Sequence, residues 1–245
     1  MISIGFDPSL RAYGWAVHDS SATGLKRRVA SGHEGTLPST VPVARFLHFQ
    51  AMVKDLLDKH DVDVVGIESP AYEAGPFQSI HFGLMMFSLV PIFEARKDVV
   101  MFDPSTLKYL AREDPARKGA MGKLDMQRKV QVDTMDTKVI DNNEADAYLC
   151  AKFAARMKSM ALGLIRPEDL TGTERRAFVE RTKTVKSGLG KKKKRVGYAF
   201  RENSRFFRFS QVPHGSVGLP SKSSIHPDIL QYLEDVESVD SVHSL

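Results

Sequence analysis

The chain opens with an alternating apolar run, Ile2-Ser3-Ile4-Gly5-Phe6, that ends on Asp7-Pro8-Ser9. A second run, Tyr13-Gly14-Trp15-Ala16-Val17, follows after a short turn, which predicts a hairpin of two strands. Residues 26–37 predict a third strand. Pro42 stands where a first-turn helical proline belongs, and from there Phe46, Phe49, Met52, Val53, Leu56 and Leu57 recur at three and four residues. That spacing predicts an amphipathic helix ending near Lys59-His60. The run 62–67 is almost wholly apolar, as in a strand covered on both faces of a parallel sheet, and it ends in Glu68-Ser69-Pro70.

Residues 71–78 read as a loop and 79–96 as a strongly apolar helix that Pro91 should kink. A fifth strand at 99–102 stops at Asp103-Pro104, and Ser105 is expected to cap the short helix that follows. A Gly-rich basic stretch, 112–123, precedes a helix over 124–135. Helix formers then dominate 144–162, after Asn and Asp residues suited to an N-cap from Asp141 onward. Beyond Gly163 the character changes. A short helix is expected over 171–182, with Thr173 as cap and Phe178 as anchor. Residues 183–195 are Gly- and Lys-rich, 198–209 interleave aromatics with arginines, and 216–245 are Ser-rich with one short helix at 227–233. The expected division is a core at 1–162 and a basic, aromatic- and Ser-rich extension at 163–245, partly flexible. No internal repeat is visible.

A length of 245 residues suits one core of roughly 150 residues plus an appendage. No apolar run reaches the roughly 18 residues that span a bilayer, and the first residues lack the basic region of a signal peptide. A single cysteine, Cys150, excludes an internal disulfide and any multi-cysteine zinc site. These features predict a cytoplasmic protein with no membrane partner. The net charge of +5 is concentrated around Lys191-Lys192-Lys193-Lys194-Arg195, which favours an anionic partner, although a lysine cluster also serves as a plain solvated surface.

Two strands therefore end on an acid, Asp7 and Glu68, and a further acid, Asp146, sits on the last helix of the core. Asp7 alone reads equally as the cap of a turn. Ligands bind at the C-terminal edge of a parallel sheet, so Asp7 and Glu68 are expected to converge there. The element order is RNase H-like: an α/β fold with a five-stranded mixed sheet flanked by helices. Clustered carboxylates are hard oxygen ligands that suit Mg²⁺ or Mn²⁺ rather than zinc. Two such ions about 4 Å apart can activate a water and stabilise the leaving oxygen of a phosphodiester.

The pieces Ile4-Gly5-Phe6-Asp7-Pro8-Ser9 with Gly14-Trp15-Ala16, then Gly66-Ile67-Glu68, Lys118-Gly119-Ala120-Met121-Gly122-Lys123 and Glu144-Ala145-Asp146-Ala147 keep their order and spacing. Together they resemble the RuvC-type Holliday junction resolvases, over about residues 1–160. The resemblance implies Asp7, Glu68 and Asp146 as metal ligands for two Mg²⁺ per site, with Mn²⁺ as substitute. It places Asn143 where the family has its fourth ligand, usually Asp or His. An Asn offers a carbonyl oxygen but no charge, so Glu144 and Asp141 stand as alternatives. Lys123 matches a basic residue near the site, suited to steadying the scissile phosphate; the plain reading is a solvated lysine before a helix. Arg117 and Lys118 would contact flanking phosphates.

Tyr72 and Phe77 lie where the family places an aromatic wedge, although Phe77 also reads as the core face of the next helix. Phe82, Met85 and Met86 read as core or dimer interface. The implied activity is a metal-dependent, structure-selective endonuclease that resolves four-way and other branched DNA by paired nicks. Symmetric nicking calls for a homodimer, acting in a bacterial cell or a phage-infected host. The tail's basic run and its aromatic–Arg stretch are expected to add DNA-contacting arms. The rival readings are an RNase H-type nuclease on another substrate and a non-catalytic junction-binding protein.

Overall fold

The computed structural model describes residues 1–9, 12–37, 41–70, 78–112, 121–138, 140–175, 181–187, 190–197 and 206–207. In chain order the core elements are β1 (Ile2–Asp7), β2 (Tyr13–Asp19), β3 (Arg28–Glu34), α1 (Pro42–Lys59), β4 (Val64–Glu68), α2 (Gln78–Glu94), β5 (Asp98–Phe102), α3 (Pro104–Leu110), α4 (Lys123–Thr134) and α5 (Asn142–Ala161). The sheet order is β3-β2-β1-β4-β5, with β1–β2 and β2–β3 antiparallel and β1–β4 and β4–β5 parallel. This is the five-stranded mixed RNase H-like sheet. A two-residue strand, β8 (Phe206–Phe207), pairs antiparallel with β5 and adds a sixth edge position.

Strand alternation sorts the core into two layers. Ile4, Phe6, Tyr13, Val17, Val65, Ile67 and Val99 pack with Phe49, Val53 and Leu57 of α1 and with Leu84, Leu89 and Ile92 of α2. The opposite set, Ala16, Val64, Val100 and Phe102, packs on α5 and α4. Among the described residues no helix is long and apolar enough to cross a membrane. Pro91 lies within α2, and Met85 is buried in the core while Phe82 and Met86 pack against its edge.

The α5 layer is set by glycines. Gly5 and Gly66 are paired in register, and both face α5. A Cβ on Gly66 would lie 2.2 Å from the Cys150 carbonyl oxygen, and one on Gly14 would lie 2.3 Å from that of Asn143. The helix therefore rests on bare backbone across β2, β1 and β4, touching it through Asn143, Ala147 and Cys150, one helical face.

Several local expectations need correction. The cap of α3 is Asp103, not Ser105: its Oδ1 accepts from the Thr106 amide at 2.9 Å, because Pro104 occupies the first helical position and leaves Ser105 inside the helix. The third strand is shorter than 26–37, since Gly24–Arg27 forms a 3₁₀ turn. Of the helix expected over 171–182, the described residues form the turn Gly172–Glu174, while Arg181 and Thr182 belong to a strand. Thr171 caps the turn, its own amide donating in return to Glu174 Oε2 at 2.9 Å, while Thr173 is buried and donates to the Arg112 carbonyl. The Gly- and Lys-rich stretch forms β6 (Arg181–Ser187) and β7 (Gly190–Gly197), an antiparallel pair. The β-branched Thr182, Thr184 and Val185 favour strand over helix there. The helix expected at 227–233 and the anchor Phe178 lie outside the described residues.

Candidate active site

Alternation fixes where the acids point. Ser3, Gly5 and Asp7 share the α5 side of β1, and Val64, Gly66 and Glu68 share the same side of β4. Both strands run parallel, so both end at one sheet edge. Glu68 is held beside β5 by its neighbour: Ser69 donates its amide to the Phe102 carbonyl at 2.7 Å and its hydroxyl to the same oxygen at 3.1 Å. Asp146 lies on the first turn and a half of α5, directly before Ala147, which rests on Gly5. All three acids are half-buried.

Their titration shows that they feel one another. Burial, and then the charges of Asp146 and Asp141, push Asp7 up to about 8, against the pull of Lys123 and Lys108. Burial, Asp7 and Asp146 push Glu68 up to about 9, again opposed by Lys108. Burial raises Asp146 to about 6, with Lys108 and Lys123 opposing and Asp141 adding to the rise. Burial and the same three acids hold the Cys150 thiol well above its ordinary range. Like charges gathered in a partly desolvated place behave in this way, and such perturbed groups concentrate at functional sites.

The donors fit a hard divalent cation in kind: they are all carboxylate oxygens, and Asp146 Oδ1 is buried with no hydrogen-bond partner. Coordination spacing is not preformed, for among the described residues no group of three or more His, Cys, Asp or Glu side chains is gathered closely enough to hold a metal ion.

The three alternatives for a fourth ligand separate clearly. Glu144 turns to β3, where Oε2 accepts from the Ser31 hydroxyl at 2.9 Å and Oε1 meets His33 Nδ1 at 2.9 Å. Asn143 donates its side-chain amide to the Ala12 carbonyl and so ties the start of α5 to the β1–β2 turn. Asp141 is the N-cap of α5, its Oδ1 accepting from the Asn143 amide at 2.8 Å, and its charge reaches both Asp7 and Asp146.

Lys123 opens α4 and is exposed, behind Gly122, whose amide donates to Asp125 at 3.0 Å. Lys108, half-buried on α3 and not marked by any motif in the sequence, acts on all three acids. β5 stops at the same sheet edge as β4, so the first turns of α3 start beside Glu68. Tyr72, Phe77, Arg117 and Lys118 lie outside the described residues. A groove of about 330 Å³ lined by Trp15, Glu34, His48 and Lys59 lies on the α1 side of the sheet and contains none of the acids.

No protein-family model matches the sequence, and no curated protein matches it. Solved structures do. The chain is similar to Thermus thermophilus RuvC at 21% identity and a TM-score of 0.55, over 64% of this chain and 97% of that one. It is similar to T. thermophilus RuvC in complex with a Holliday junction substrate at 20% identity and a TM-score of 0.54, over 64% and 96%. Roughly a third of this chain thus has no counterpart in either. What the chain shares with these proteins is the RuvC-like, RNase H-type fold.

Proposed function

We propose that this chain is a divalent-metal-dependent endonuclease that resolves four-way and other branched DNA by paired nicks. The observation that carries the reading is the convergence of Asp7, Glu68 and Asp146 from β1, β4 and α5 at one sheet edge, with each carboxyl raised by burial and by its neighbours. The RuvC-like fold supports it, since one solved structure of that fold holds a Holliday junction substrate. The core would be residues 1–162, with 163–245 as a DNA-contacting extension, acting in the cytoplasm.

Asp7, Glu68 and Asp146 would hold the metal, Mg²⁺ by preference and two ions per site, with Asp141 or Asn143 completing the donors. When bound, the ions supply activation of a water and stabilisation of the leaving oxygen. The chain's own residues do the rest. Burial and neighbouring acids disfavour the ionised carboxyls, so the site favours positive charge that would offset theirs. Lys108 and Lys123 flank the acids and suit an anionic phosphate, offsetting charge that grows in the transition state. Two symmetric nicks need two such sites, which calls for a two-fold dimer.

The test is cleavage of a labelled synthetic four-way junction beside linear duplex, flap and RNA–DNA hybrid, each in Mg²⁺, Mn²⁺ and EDTA. Paired symmetric nicks on the junction, lost in EDTA and in Asp7→Asn, are expected. Cleavage of the hybrid in preference to the junction would overturn the substrate, and junction binding without cuts in either metal would overturn the activity.

A further inference from the structure

We infer that the β6–β7 hairpin is a cationic two-stranded ribbon that binds the phosphate backbone of the duplex arms. This rests on the proposal that the substrate is DNA.

The charge distribution is the first observation. Residues 1–162 carry 20 Lys and Arg against 20 Asp and Glu, so the part bearing the candidate active site is neutral overall. The hairpin, by contrast, holds eight cations and no acid: Arg181, Lys183, Lys186, Lys191 to Lys194 and Arg195. Without those eight charges the chain would pass from +5 to −3. A polyanion is bound largely by neutralising its phosphates, and the neutral core lacks the excess charge to do so.

The second observation is the register. Lys183 stands opposite Lys194 and Lys186 opposite Lys191. Like charges at directly opposed positions weaken a strand pair, and an isolated hairpin is marginal in any case. Strands paired in this register gain when an anionic surface lies along them. Seven residues of antiparallel strand span about 24 Å, and a two-stranded ribbon fits the B-DNA major groove or tracks its edge.

The third observation is the tether. Before the hairpin, the Gly172–Glu174 turn is fixed to α5 by Arg156, whose Nη2 lies 2.9 Å from Glu174 Oε2. After it, Phe206 and Phe207 pair with Val100 and Val99 of β5. The ribbon is therefore not a free tail. Both of its ends return to the core that carries the acids, so it is held at high effective concentration for any DNA bound there.

The experiment measures binding of a four-way junction and of linear duplex to the full chain, in EDTA, from 50 to 200 mM NaCl. The Lys191→Gln/Lys192→Gln/Lys193→Gln/Lys194→Gln variant should bind both DNAs at least tenfold more weakly at the higher salt. Its slope of log affinity against log salt should be shallower by about 3 to 4, as four lost phosphate contacts require. The matching four-Arg variant should keep wild-type affinity and slope. Lys183→Gln/Lys186→Gln, in the other strand, should reduce the slope by about 2 on the same basis. Unchanged slopes in both Gln variants would overturn the proposal, as would equal losses in the Gln and Arg variants. So would binding to anionic phosphatidylserine vesicles that the Gln substitutions abolish while DNA binding stands. Because EDTA removes cleavage from the measurement, a wild type that binds with the expected slope but never cuts would defeat the nuclease reading and leave the ribbon standing.

Discussion

Gly5 and Ala147 meet backbone to backbone: a Cβ added to Gly5 would fall 1.8 Å from the Ala147 carbonyl oxygen. Asp7 lies two residues beyond the first, on the same face of β1, and Asp146 directly precedes the second. The contact therefore sets how closely two of the three acids approach.

Gly5→Ala must push α5 off the sheet, because the clash is with a carbonyl that cannot rotate away. The cost should reach or exceed the top of the about 1–3 kcal/mol typical of overpacking. Thermal melting checks this, and a variant that melts like the wild type would show that α5 is not seated as described. In any folded fraction, cleavage should fall further than stability does, since Asp7 and Asp146 are separated together with the helix.

Metal binding should follow the titration of the acids. A carboxyl raised in the folded state stabilises most below its unfolded pKa of about 4, and that contribution is lost as pH rises through the folded value. Here the folded values are about 6 for Asp146, about 8 for Asp7 and about 9 for Glu68, so metal-free protein should lose stability as pH rises across 6 to 9. A divalent ion needs the ionised forms. The gain in melting temperature on adding Mg²⁺ should therefore be larger at pH 9 than at pH 6, and Asp7→Asn should flatten the difference. An equal gain at both values would show that the ion binds elsewhere.

The five-stranded core was legible because each of its strands announced itself by period and by its terminal acid or Pro. Hydrophobic alternation in 2–7 and 13–17 and the continuous run before Glu68 are enough to order the sheet. What periodicity could not supply was distance. Nothing in the spacing of Gly5, Gly14 and Gly66 says that a helix far along the chain, touching them at Ala147, Asn143 and Cys150, lies on them; that is a long-range packing fact. Lys108 was missed for the same reason, since its importance comes from where β5 ends in space and not from its neighbours in sequence. The hairpin was not legible because a lysine run carries no strand signal, and its pairing is with a separate segment, 181–187.

Lys108→Met should lower the rate of junction cleavage at saturating substrate by about 10²-fold, the scale of losing one charge that faces the transition state. Affinity for the junction should change little, since a single phosphate contact is a small part of binding. Lys108 pulls all three carboxyl pKa values down, so its removal should also move the acid limb of the pH–rate profile to higher pH. Lys108→Arg should restore that limb. A variant with reduced rate but an unmoved profile would make Lys108 a structural residue.

Asn143 decides what completes the site. Its amide donates to the Ala12 carbonyl, a role that an ionised carboxylate cannot fill. In EDTA, Asn143→Asp should therefore cost about 1–3 kcal/mol, as expected for a carbonyl left without its donor beside a new charge. If position 143 also faces the metal, Mg²⁺ should recover that loss and stabilise the variant more than the wild type, with cleavage rising at limiting Mg²⁺. Asp141→Asn is the counterpart. Asn remains a good N-cap, so α5 should hold, but the charge acting on Asp7 and Asp146 disappears and Mg²⁺ affinity should fall. Glu144→Gln, engaged with Ser31 and His33 on β3, should leave cleavage unchanged. Equal Mg²⁺ stabilisation of wild type and Asn143→Asp would make Asn143 a brace for the β1–β2 turn and leave Asp141 as the fourth acid.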